Sequence, residues 1–155
     1  MTIFQAPEYD SRKARRRKII VSVVVAVLIV IGVVAFIFRN YPEERVTKKF
    51  FNALVAQDFN TAYGIWIADP NWQQHPTNHS QYPFNDFYRD WGPGGDWGVI
   101  KSFHIDTSTR PRDPNSGFSN GVVVVVTINE RKEPAALFVD PKDKSISFSP
   151  FQVVQ

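Results

Sequence analysis

Between Ile19 and Phe38 the chain runs IIVSVVVAVLIVIGVVAFIF, twenty residues without a charge. A helix of that length rises about 30 Å, the thickness of a bilayer's hydrocarbon core. Three readings compete for it: a membrane anchor, a cleaved signal peptide and a buried core helix. A core helix needs a polar face, and here only Ser22 and Gly32 interrupt the apolar run. Both are tolerated inside membranes. A signal peptide has an apolar region of about 7–15 residues followed by small residues at its cleavage site. This run is longer, and Ala35-Phe36-Ile37-Phe38-Arg39 lacks that pattern. The residues therefore favour an uncleaved anchor. In lipid every backbone group must be satisfied within the segment, so the span is expected to be a helix despite its many β-branched residues.

The flanks set the expected orientation. Arg12, Lys13, Arg15, Arg16, Arg17 and Lys18 put six cations into seven positions just before the span. Cationic flanks stay in the cytoplasm, which places the N-terminus there and the C-terminal domain outside, across the cell membrane. The natural partner of the basic run is the anionic surface of the lipid bilayer, rather than nucleic acid. Three segments follow: a basic cytoplasmic tail over 1–18, a transmembrane helix over 19–38 and an extracytoplasmic domain over 39–155. The tail holds six Lys/Arg against Glu8 and Asp10, a charge of +4, so the remainder carries −1 of the total +3. A nearly neutral domain argues against nucleic-acid binding, which wants a basic face. The chain has no cysteine. That excludes disulfides, thiol catalysis and cysteine-based zinc sites, and leaves an apolar core to hold the outer domain together.

The pattern after the span changes half-way. Residues 1–11 carry no periodicity and are expected to be disordered. Pro42 suits a first helical position, with Glu43 and Glu44 where the helix dipole favours anions. Val46, Phe50, Ala53 and Leu54 then mark one helical face, ending near Gln57. Asp58 or Asn60 caps a second helix over Phe59–Trp66. Asp69 to Pro83 is loop, and Phe84–Trp91 is a third short helix stopped by Gly92-Pro93-Gly94-Gly95. From Val99 to Thr107 the period becomes two, with Phe103 and Ile105 opposite Ser102, His104 and Asp106. Residues 110–120 read as a long hairpin loop. Gly121 to Asn129, with five consecutive valines, reads as a central strand covered on both faces. Pro134–Val139 and Ser145–Ser149 supply two more strands, the last extending past Pro150 towards Val154. Helices followed by four hairpin-linked antiparallel strands make an α+β class domain.

The run Val46-Thr47-Lys48-Lys49-Phe50-Phe51-Asn52-Ala53-Leu54-Val55-Ala56-Gln57-Asp58-Phe59-Asn60-Thr61-Ala62-Tyr63 resembles the opening of nuclear transport factor 2-like (cystatin-like) domains. In that superfamily a long helix ends in "AL…GDF" and a short helix carrying "AY" follows. The resemblance implies a third helix and a curved antiparallel sheet that together form a cone with a pocket. This chain has Gln57 where the family usually shows glycine. The family includes dehydratases, isomerases, ligand carriers and non-catalytic assembly modules, so fold alone does not choose among them. Bacterial members with a basic tail, one span and an outer domain include scaffold subunits of type IV secretion and cell-envelope accessory proteins.

Candidate site residues fall into three groups. His75 and His79 are four apart, but Pro76 between them denies the helical geometry a zinc pair would use, so they read as solvated loop histidines and no metal or cofactor is expected. His104 and Asp106 share a strand face; lining a pocket they could act as a base and its partner, and facing solvent they are polar surface. Trp66, Phe87, Trp91 and Trp97 are candidates for an apolar pocket edge, with plain core packing as the alternative. Asn78-His79-Ser80 is a glycosylation sequon, relevant only in a eukaryotic host. The expected function is a membrane-anchored, non-catalytic binding or scaffold module for envelope proteins or an apolar ligand. The alternatives are an extracytoplasmic dehydratase or isomerase using His104 and an aspartate, and a ligand carrier released by cleavage.

Overall fold

The structure, a computed structural model, describes residues 11–75, 79–111 and 121–149. The chain divides into two compact units, residues 1–39 and 40–155. The first contains one helix, α1, Ser11–Ile37, into which the basic run continues without a break. It is long and apolar enough to cross a membrane. Its apolar side chains are exposed all round: Leu28 is 62 % exposed and Phe36 71 %. A helix apolar all round and bare all round is a hydrophobic surface that water does not tolerate.

The second unit runs α2 (Tyr41–Val55), α3 (Phe59–Trp66), a 3-10 turn at Trp72–Gln74, α4 (Phe84–Trp91), then β1 (Phe103–Thr109), β2 (Val122–Ile128), β3 (Ala135–Val139) and β4 (Ile146–Phe148). It is α+β. The strands form one curved antiparallel sheet in the order β1-β2-β3-β4, each paired with its sequence neighbour. The three helices after the span and the four strands lie where the periodicities put them. The extension past Pro150, the 112–120 loop, the sequon's Asn78 and the tail before Ser11 lie outside the described residues.

Parity explains the core. In β2, Val122, Val124, Val126 and Ile128 turn to the helices and pack with Leu137, Val139 and Ile146 against Phe50, Leu54, Tyr63, Trp66, Phe87 and Trp91. Val123, Val125 and Phe138 turn the other way and are also buried, forming a second cluster. The valine run is thus covered on both faces, as expected of a central strand. At Gly121 a Cβ would fall 1.9 Å from the Phe138 ring, so only glycine lets that ring lie across the strand.

Two details depart from the sequence pattern. The first strand starts at Phe103, not Val99. Asn129 accepts the Lys101 and Ser102 N–H groups at 2.8 and 3.2 Å and donates to Val99 O at 2.9 Å, replacing a strand ladder there. The pairing register then shifts between Ile105 and Thr107. This bulge reverses the parity beyond Asp106, so that Ser108 rather than Thr107 is half-buried.

Helices α2 and α3 end in the same way. After α2, Gln57 N–H donates to Leu54 O at 3.0 Å and Asp58 N–H to Ala53 O at 2.9 Å; after α3, Ala68 N–H donates to Ile65 O and Asp69 N–H to Gly64 O. Both are six-residue Schellman closures, which place the residue after the cap in the left-handed region. Gln57 has φ 57° and Ala68 φ 56°. Gln57, where the resembled family shows glycine, is exposed and carries the conformational cost itself. Gln57→Gly is expected to stabilise the unit by about 0.5–1 kcal/mol, read as a raised melting midpoint, and an unchanged or lowered midpoint counts against this account of the helix end.

Candidate functional site

Trp66, Phe87 and Trp91, candidates for a pocket edge or for plain core packing, lie in the core cluster. All three are buried. Phe50 sits among them, 5.3 Å from Trp66, 6.2 Å from Phe87 and 5.2 Å from Trp91 by ring centroids. The reason is helical spacing: Phe87 and Trp91 are four apart on α4 and share its one inward face. Trp97 is half-buried. It stacks on Trp91 at 6.3 Å, and the Arg131 guanidinium lies over its ring at 5.6 Å. It borders a shallow cavity of about 490 Å³ with Lys101, Asn129 and Arg131.

His104 and Asp106 are both exposed, opposite the core-facing Phe103 and Ile105. Asp106 accepts a 2.7 Å hydrogen bond from Thr127 Oγ1 across the sheet. His104 and Asp106 therefore stand on the outer face of β1, two positions apart, with the Asp106 carboxylate already used.

The structure brings together what spacing alone did not: His75 Nδ1 and His79 Nε2 both reach Asp69 Oδ2, at 2.9 and 3.3 Å. Asp69 Oδ1 also accepts the Asn71 N–H at 2.9 Å. The His75 imidazole holds the Asp69 carboxyl below the usual carboxylate range. His75 and His79 thus meet on one aspartate, ten residues upstream of His79. Among the described residues no group of three or more His, Cys, Asp or Glu is arranged to hold a metal ion. The cluster acts as a clasp for the loop from Ala68 to His79.

That clasped loop forms one wall of a groove of about 440 Å³. Val46 and Lys49 from α2 and Asn60, Thr61, Gly64 and Ile65 from α3 make its floor and near side. Ala68, Pro70, Trp72 and Gln73 make the far wall, and Asp143 and Lys144 from the β3–β4 turn close one end. Each wall is fixed locally. A Cβ on Gly64 would lie 3.1 Å from Asp69 O, so glycine lets the loop pack tightly on α3. The Trp72 ring stacks on Phe84 at 5.1 Å and meets Tyr63 edge-on at 4.8 Å, while its N–H donates to Asn60 O at 3.2 Å. Tyr63 O–H donates to Tyr82 O at 2.7 Å and Tyr82 O–H to Asp90 Oδ2 at 2.8 Å, tying α3 to α4. Burial and the Asp90 carboxylate push the Tyr82 phenol well above its ordinary value, so it stays protonated and keeps donating.

Behind the groove's closed end lies a buried carboxylate. Glu43 is 2 % exposed. Its Oε1 receives Lys144 Nζ at 2.9 Å and faces Arg110 Nη2 at 3.9 Å, and its Oε2 has no hydrogen-bond partner. Arg110 Nε donates to Asn40 Oδ1 at 3.1 Å, Asn40 Nδ2 donates to Ser108 O at 3.0 Å, and Ser108 Oγ donates to Glu44. These bonds sew the first turn of α2 to the far end of β1 and to the β3–β4 turn. In the sequence Glu43 and Glu44 stand as helix-dipole partners at the start of α2. The parity reversal at the Asp106 bulge is what brings Ser108 inward to meet them. No family model matches the chain, and no curated protein or solved structure does either.

Proposed function

We propose that this protein is a single-pass membrane-anchored binding or scaffold module, with α1 in the cell membrane, its basic end in the cytoplasm and the second unit outside. The observation that carries this reading is the charge-free apolar stretch of α1, whose side chains are exposed, ahead of a unit with a core of its own. Such a helix needs an apolar solvent, and the bilayer is the one that fits its length. The six cations before Ile19 support the orientation.

The second unit is, in this proposal, a nuclear transport factor 2-like cone. Its element order, three helices and then four antiparallel strands, supports that assignment, as does the turn after Leu54, where the left-handed residue falls at the family's glycine position. Binding is favoured over acid–base catalysis because His104 and Asp106 are exposed on the outer face of β1, away from both cavities described above. The partners proposed are the lipid bilayer and either an envelope protein or an apolar ligand.

The test is a pair of reporter fusions after Gln155. A reporter enzyme active only outside the cytoplasm is expected to be active, and one active only in the cytoplasm to be silent. The reverse result refutes the orientation, and a soluble, membrane-free protein refutes the anchor.

A further inference from the structure

We propose that the groove between α2 and α3 binds a long-chain anionic amphiphile, its chain on the Val46–Ile65–Trp72 surface and its carboxylate between Lys49 and Lys144. This rests on reading the unit as a membrane-tethered binding module. The volume, about 440 Å³, falls in the range of small-molecule sites, roughly 300–1,000 Å³. The walls are mainly apolar, and the polarity that remains is positive in its effect. Lys49 lies off the buried face of α2 and is exposed. Lys144 uses one of its ammonium hydrogens on Glu43 and has two left to donate. Arg110 supplies Glu43 with a second cation, so Lys144 is not fully neutralised. The one acid on the lining, Asp143, turns its carboxylate into its own turn, accepting the Ser145 N–H at 2.8 Å. The lining thus carries Lys49 and Lys144 against Asp143, one net positive charge for a ligand anion to meet.

Two further features fit this occupant. Lys144 has φ 66°, a left-handed backbone that a lysine adopts only when its surroundings hold it there. The turn's own backbone bond, Lys144 N–H to Asp140 O at 3.0 Å, closes that conformation, and the Glu43 pair holds the ammonium at the groove. Tethering also matters: a domain attached to a bilayer sees amphiphiles at the high effective concentration of the membrane surface.

The test uses the full chain in phosphatidylcholine nanodiscs, with two photoactivatable probes that carry a diazirine near the chain end: a long-chain carboxylate and the alcohol of the same length. Crosslinked residues are located by mass spectrometry, with labelling of α1, which both probes reach through the bilayer, as internal reference. The carboxylate is expected to label the groove walls about tenfold more than the alcohol does, the ratio expected of a partly desolvated charge pair. Lys49→Glu is expected to cut groove labelling about tenfold, by the same Coulomb reasoning, without changing α1 labelling. Thr61→Trp, at an exposed position on the lining, is expected to abolish it by filling the groove. Labelling confined to α1, equal labelling by the alcohol, or labelling indifferent to both variants overturns the proposal, given unchanged circular-dichroism melts. Labelling elsewhere on the second unit overturns the groove but keeps the binding reading. The reporter fusions decide the anchor independently.

Discussion

Phe50→Ala is expected to lower the stability of the second unit by about 3–5 kcal/mol, the usual cost of truncating a fully buried aromatic ring. Phe50 is 0 % exposed and lies at the centre of the helical layer. Its ring meets Phe51, Trp66, Phe87 and Trp91, at centroid distances of 5.2 to 6.2 Å. Edge-to-face pairs of this kind add about 0.5–1.5 kcal/mol each beyond the area they bury. The four neighbours belong to three helices, so they cannot collapse into the space without moving whole elements. A cavity that stays open is the expensive kind. Thermal or urea melts of the wild type and the variant, followed by near-ultraviolet circular dichroism, measure the loss. A change below about 1 kcal/mol would mean that the layer repacks freely and that Phe50 is not its centre.

Lys144→Met is expected to cost about 2–4 kcal/mol, because it removes the nearest cation from a buried carboxylate while keeping the side chain's apolar stem. The figure stays at or below the usual range for a broken buried pair for two reasons. Arg110 remains at 3.9 Å, and the Lys144 side chain is 36 % exposed. The double variant Glu43→Leu with Lys144→Met is expected to return to within about 1 kcal/mol of the wild type, since burying neither charge is nearly equivalent to burying a good pair. The coupling between the two positions, taken from the double-mutant cycle, isolates the pair itself. Additive losses from the two single variants would show that Glu43 is satisfied some other way. Methionine at 144 also leaves the left-handed backbone as demanding as lysine did, so the measurement reads the charge and not the turn.

Much of the architecture was legible one residue at a time. The apolar run of α1 needs no tertiary information, because twenty uncharged residues fix both its helicity and its length match to a bilayer. Periods of 3.6 and 2 located α2, α3, α4 and the four strands, since each element has one face that must be apolar. Asp58 was readable as a cap, and its carboxylate does accept the Thr61 N–H at 3.0 Å. Five valines in a row identified β2 as a strand covered on both faces.

What the pattern did not carry depends on relations between distant residues. An aromatic on an inward helical face looks the same whether it edges a cavity or fills a core, and only packing against Phe50 placed Trp66, Phe87 and Trp91 in the core. The bulge at Asp106 is one extra residue in a pairing register, invisible until β1 and β2 are laid side by side. Two histidines whose intervening proline argues against a helix are neighbours because both reach Asp69. Glu43 reads from the sequence only as a helix-dipole partner, and its pairing with Lys144, 101 residues later, shows only in the fold. Local periodicity reports which way a side chain must turn relative to its own element. The sequence by itself therefore determined the membrane-length helix, the α+β order and the inward faces. Only the tertiary structure decided what each face meets: the groove, the clasp on Asp69 and the buried pair at its end all join residues from separate elements, and no period within one element encodes that.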